Sequence, residues 1–226
     1  KSTDIQMAAG QKLTVEGKLN SADDTKIEAD DLDLGTDKVN VGKKLTLEKA
    51  TKTQAINVGT NAGDWNINHA NYGKIKIGDS NQDADVNIKG ATFKNPSDIE
   101  TKKKVVLTGA TKAGANGGSD MNIKAQTAEL PTANDTLAVK NLDLNLSGGL
   151  DLGHGKVKGA ADGKITIKGA SASQDIVISD HASDAPSGEY RIAYRTINET
   201  LEGFKGFDVA GEKHVYFYGG AVKKSI

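Results

Sequence analysis

The chain has 226 residues, of which 36% are hydrophobic and only 4% aromatic, so a thick globular core is hard to fill, whereas a narrow one built from Val, Ile and Leu is not. Its 29 basic and 30 acidic residues are interspersed and leave a net charge of −1, which argues against a nucleic-acid footprint or a polybasic membrane patch. The absence of cysteine excludes a disulfide scaffold, a thiolate zinc site and a cysteine nucleophile, and no run of 18 apolar residues could span a bilayer as a helix.

The chain opens on Lys1-Ser2-Thr3 with no signal peptide, and a strand-like pattern is under way by Leu13, so the expectation is a processed or excised piece of something longer. Apolar triplets then return at Leu13-Thr14-Val15, Leu45-Thr46-Leu47, Ile75-Lys76-Ile77, Val105-Val106-Leu107, Leu137-Ala138-Val139 and Ile165-Thr166-Ile167. Subtracting their first positions gives steps of 32, 30, 30, 32 and 28, a period that signals stacked repeats. A second series lies between them at Ile27-Glu28-Ala29, Ile56-Asn57-Val58, Val86-Asn87-Ile88, Met121-Asn122-Ile123 and Ile176-Val177-Ile178. A looser third includes Val39-Asn40-Val41, Trp65-Asn66-Ile67, Thr92-Phe93 and Ala128-Glu129-Leu130.

Most of these runs alternate apolar and polar residues, the signature of a strand with one buried face. Turn formers such as Gly42-Lys43, Asn61-Ala62-Gly63-Asp64 and Gly148-Gly149 separate them, and the segment from Thr111 to Ser119 reads as a loop bulging from one corner. A β-sandwich also has short strands and turns, but it does not require one triplet to recur at constant spacing. The expected fold is therefore all-β: a right-handed parallel β-helix of about six coils over residues 10–185. Residues 186–226 differ, because Tyr190, Tyr194, Phe204, Phe207, Tyr216, Phe217 and Tyr218 cluster there. That aromatic-rich segment is read as a C-terminal cap over an open strand edge or a junction to the next module, with an exposed aromatic ligand platform as the sharper alternative.

Chemistry-bearing residues are sparse. Asn57, Asn87 and Asn122 occupy the middle of second-series triplets, so they point outward and form a structural amide ladder, with a sugar-binding face as the alternative. Asn40 and Asn66 hold the same place in the third series. The acidic groups Asp23-Asp24, Asp30-Asp31 with Asp33, and Asp83 with Asp85 have the oxygen chemistry calcium prefers, but they lie beside lysines and near turns, where Asp serves local hydrogen bonds. Paired carboxylates for glycoside hydrolysis would have to face each other from adjacent coils, and Glu28 opposite Asn57 and Asn87 makes no such set. His69, His154, His181 and His214 are scattered, arginine occurs only at Arg191 and Arg195, and Lys102-Lys103-Lys104 reads as a solvated corner. No phosphate loop, nucleophile elbow or HExxH motif is present, and neither a cofactor nor a metal is expected.

The phrases Gly73-Lys74-Ile75-Lys76-Ile77, Gly163-Lys164-Ile165-Thr166-Ile167 and Asp85-Val86-Asn87-Ile88 give residues 10–180 a texture that resembles bacterial surface exoproteins. These are the autotransporter passengers and the two-partner-secreted, filamentous haemagglutinin-like adhesins. The resemblance implies export to the bacterial cell surface and a long β-helix that holds binding regions away from the cell. It also implies an aromatic C-terminal segment that caps the helix. No site motif is shared across the family, so no functional residue carries over. The function expected is a non-catalytic structural and adhesive segment, its partner a host glycan, a matrix protein or further copies of itself. The alternative is a polysaccharide-binding or -cleaving β-helix such as a lyase, hydrolase or phage tailspike.

Overall fold

Alternating apolar and polar residues give each short run one dry and one wet side, and in the computed structural model these runs stack parallel, coil upon coil, around an aliphatic interior. Residues 1–132, 134–151 and 155–159 are described, together with the backbone of Lys164–Gly169, Asp175–Asp180, Leu201–Glu202, Gly206–Ala210 and His214–Gly219. The fold is an all-β parallel solenoid of about seven turns.

The first face runs through β1 (Thr3–Gln6), β4 (Thr25–Glu28), the second half of β6 (Val39–Glu48), the second half of β8 (Asn71–Gly78) and β11 (Ser97–Glu100). It continues through the first halves of β14 (Met121–Glu129) and β16 (Leu142–Asp151) to β18 (Lys164–Gly169) and β21 (Gly206–Ala210). The second face stacks β7 (Ile56–Val58), β9 (Val86–Lys89), β12 (Lys104–Thr108), the second halves of β14 and β16, β19 (Asp175–Asp180) and β22 (His214–Gly219). The third stacks β10 (Thr92–Phe93), β13 (Ala110–Ala113), β15 (Thr136–Val139), β17 (Lys156–Gly159) and β20 (Leu201–Glu202). Toward the N-terminal end, β3 (Leu19–Ser21) pairs with the first half of β6, and β2 (Lys12–Thr14) pairs with β5 (Asp31–Asp33).

The interior is a set of in-register ladders. On the first face Ile27, Leu47, Ile77, Ile99, Ile123 and Leu144 lie in one column, each at most 1% exposed. On the second, Ile56, Val86, Val105, Ala128 and Leu150 form a column, each at most 2% exposed. Burying one such Leu or Ile side chain contributes about 1.5–3 kcal/mol, and the ladder spreads that gain evenly along the column. Trp65 and Phe93 are fully buried and fill the core.

The coil is shorter than the sequence period suggests. Positions in register on the first face are Thr3, Thr25, Leu45, Ile75, Ser97, Met121, Leu142, Ile165 and Phe207. Subtraction gives steps of 22, 20, 30, 22, 24, 21, 23 and 42, so most turns are alike in length and two are longer. The recurring triplets do not hold one strand position: Leu45, Ile75 and Ile165 are on the first face, Val105 on the second and Leu137 on the third. Nor is the whole segment from Thr111 to Ser119 a bulge, because its first residues belong to β13.

Candidate functional site

Because the ladder residues of the first face point inward, their neighbours point out, and most coils add two polar side chains to the outer surface. In register these are Lys26 and Glu28, Thr46 and Glu48, Lys76 and Gly78, Asp98 and Glu100, Asn122 and Lys124, then Asp143 and Asn145, with Lys74 two residues earlier on β8 in register with Lys44. Opposite charges meet across coils. Lys26 lies 3.0 Å from Glu48, Lys74 2.7 Å from Asp98, and Glu100 takes Lys76 at 2.7 Å and Lys124 at 2.9 Å. Asn122 Nδ2 donates to Asp98 Oδ1 at 2.7 Å. Burial disfavours the charged form of Glu100, but the hydrogen bonds from Lys76 and Lys124 outweigh it and hold its pKa below the ordinary carboxylate value.

At the corner beside this face, Lys52 bridges Glu48 at 3.0 Å and Asp79 at 2.9 Å. Asp79 Oδ1 also accepts the N–H groups of Asn81 and Gln82, each at 2.8 Å. Burial works against the Asp79 carboxylate, yet hydrogen bonding with Glu48, Lys52 and the Asn81 amide prevails and lowers its pKa to about 2. Three depressions lie on this face or its corner. One of about 360 Å³ is lined by Asp4, Lys26, Thr46, Glu48 and Lys76, and one of about 290 Å³ by Lys76, Glu100, Asn122, Lys124 and Asn145. The third, of about 250 Å³, shares Glu100, Lys124 and Asn145 with the second and adds Ser80, Lys102, Gln126 and Ser147. Through these shared residues, and Lys76 between the first two, they form one shallow groove running across the coils.

The asparagines singled out by sequence divide among several places. Asn57 and Asn87 stand on adjacent coils of the second face, with Nδ2 of Asn87 donating to Oδ1 of Asn57 at 2.9 Å. Asn122 is not in that ladder, because the true coil length sets it on the first face beside Asp98. Asn40 belongs to a separate exposed ladder with Asn20 and Asn71, in register on β3 and the first halves of β6 and β8, and Lys94 Nζ donates to Asn71 at 2.9 Å. Asn66 caps the short 3-10 turn Ile67–His69 by accepting the Asn68 N–H at 3.2 Å.

The acidic clusters tie coil to coil. Asp24 accepts the Lys44 N–H at 3.2 Å, Asp30 the Thr51 N–H at 2.6 Å, and Asp85 the Lys104 N–H at 3.2 Å, each reaching across about one turn of chain. Asp30 is 6% exposed and also takes the Gly10 N–H and the Thr51 hydroxyl, while its own carbonyl accepts Lys49 Nζ. Among the described residues no group of three His, Cys, Asp or Glu side chains is arranged to hold a metal ion. His69 meets the Thr36 hydroxyl through Nδ1 at 3.2 Å, and Lys103 and Lys104 pair with Asp83 and Glu129.

Of the C-terminal aromatics, Tyr190, Tyr194 and Phe204 lie outside the described residues. Phe207 sits in β21, in register with Ile165, and Tyr216 and Tyr218 sit in β22, in register with Val177 and Ser179. These strands continue the parallel stack by a further layer. The described strands do not show an aromatic cap.

The first-face lattice escaped sequence reasoning. Its signal is present as Lys-x-Gly at 76–78, Asp-x-Glu at 98–100, Asn-x-Lys at 122–124 and Asp-x-Asn at 143–145. It becomes visible only once these phrases are aligned by strand register rather than by the triplet period. The fold and this surface together define a β-solenoid with one grooved, polar, internally charge-paired outer face. Comparison with protein-family models, with curated proteins and with solved structures found no significant match.

Proposed function

We propose that this chain is a non-catalytic structural and adhesive segment of a secreted bacterial cell-surface protein, a stalk that makes weak multivalent contacts along its stacked outer faces. The observation that carries this reading is the solenoid itself: each coil repeats the same outward positions about every 4.8 Å, so one chain offers many similar weak contacts in a row. The sequence resemblance to autotransporter passengers and haemagglutinin-like adhesins supports it, and β-solenoids serve both adhesins and polysaccharide-acting proteins. The second reading, a polysaccharide-cleaving enzyme, draws on the carboxylates and lysines of the first-face groove. Against it, a general acid needs a raised pKa, and Glu100 is lowered by its two lysines.

Binding of the purified chain to a glycan array and to host matrix proteins, with product analysis of every glycan retained, tests the proposal. Saturable binding without cleavage is the expected outcome, and glycan cleavage would overturn it.

A further inference from the structure

The groove between β8 and β16 has a composition that selects its ligand. Its charges are matched internally, since Glu100 lies between Lys76 and Lys124 and Asp98 is held by Lys74. A polyanion or a nucleic acid therefore finds no excess of positive charge there. No aromatic side chain lines it, so an apolar or stacking ligand finds no platform. What remains is a dense set of groups that both donate and accept: the amides of Asn122, Gln126 and Asn145 and the hydroxyls of Ser80 and Ser147. Asn122 and Lys124 on one coil are in register with Asp143 and Asn145 on the next, so outward polar positions, though not the same residue types, recur along the column axis with the coil spacing of about 4.8 Å.

We propose that this groove binds a neutral, linear polysaccharide lying along the column axis, with hydroxyls of successive sugars meeting Lys124 and then Asn145 one coil on, and with Asn122 and Gln126 flanking Lys124 on its own strand. Uncharged hydroxyls donate and accept in the same place, which is what the mixed amide, ammonium and carboxylate lining requires. A depression of about 290 Å³ is at the small end of ligand sites, so each segment of groove grips one or two sugars and length supplies the affinity. This inference rests on the reading of the chain as a binding column and names the ligand class of one face.

The test is calorimetric titration of the intact chain with uncharged linear oligosaccharides of glucan, mannan and xylan, beside polygalacturonate and heparin fragments as polyanions. At least one uncharged glycan is expected to bind saturably, with little change in affinity when salt is raised. The double variant Lys124→Ala/Asn145→Ala should weaken that binding at least about tenfold, because it removes two of the four hydrogen-bonding groups named. Asn145→Asp, which keeps the side-chain volume but removes the donor, should weaken it as well. Asn20→Ala/Asn40→Ala, on β3 and the first half of β6, should leave it unchanged, with far-UV circular dichroism confirming that each variant is folded. Binding confined to polyanions and abolished by salt, indifference to the groove variants, or no binding of any uncharged glycan would each overturn the assignment. Failure here with retained binding to matrix proteins would leave the adhesive reading standing. Cleavage of a groove-bound glycan would sink the non-catalytic reading while upholding the groove.

Discussion

Gly78 closes β8 with φ of +74°, and a Cβ placed there would run into the carbonyl oxygen of Glu100 on the next coil. Both the left-handed backbone and the close approach require glycine, so Gly78→Ala is expected to destabilise the fold by about 1–3 kcal/mol. A chemical denaturation midpoint unchanged from the parent would count against that reading of the corner. One position on, Asp79 titrates at about 2 rather than the ordinary 3.8. Its folded-state pKa is depressed, so its stabilising contribution is present above about pH 4 and is lost as pH falls toward 2; at 16% side-chain exposure it amounts to about 2 kcal/mol or less. Thermal melts between pH 5 and pH 2 should therefore show a smaller acid-induced fall in Tm for Asp79→Asn than for the parent.

The inward ladders are the stabilising elements, and their members are equivalent by register. Ile99 sits in mid-column between Ile77 and Ile123 and is 1% exposed. Ile99→Ala leaves a cavity that flanking coils cannot close without moving two sheets, so a loss of about 2–5 kcal/mol is expected. Calorimetry showing less than about 1 kcal/mol would mean that the coils collapse onto the gap. Strand identity was legible from alternation alone: Ile75-Lys76-Ile77, Val86-Asn87-Ile88 and Met121-Asn122-Ile123 all lie in strands with their apolar members buried. Which face each triplet occupies was not legible. The long third turn, from Leu45 to Ile75, imitates the triplet period, while the four turns after it, to Ile165, are all shorter. Periodicity reports spacing along the chain, whereas face is decided by where corners fall, and corners take variable lengths of chain at little cost.

For the molecule as a whole, coils touch their neighbours, so stability is approximately a sum over adjacent layers. Ser97 and Met121 are in register, so deletion of the segment 97–120 removes one whole turn and sets Met121 over Ile75. That shortened chain is expected to fold to the same parallel sheet with a cooperative melt. Deletion of the segment 97–126, which removes one apparent triplet period instead, should misalign the aliphatic ladder and lose cooperativity. Equal behaviour of the two in circular dichroism melts would refute the register assigned here.

Composition and alternation by themselves determined that this chain is all-β, repetitive, thin-cored and free of thiol chemistry, because those properties depend only on which residues are present and on neighbours two apart. They also placed Asn57 and Asn87 as outward residues of the same triplet position, and these two amides do hydrogen-bond. The tertiary structure alone decided the true length of the turn, the separation of Asn122 from that pair, and the use of Asp24, Asp30 and Asp85 as ties between coils. It also decided that Lys76, Glu100 and Lys124 line one groove. Each of these depends on contacts made across a whole turn of chain, and such contacts are set by the register of parallel strands rather than by local sequence.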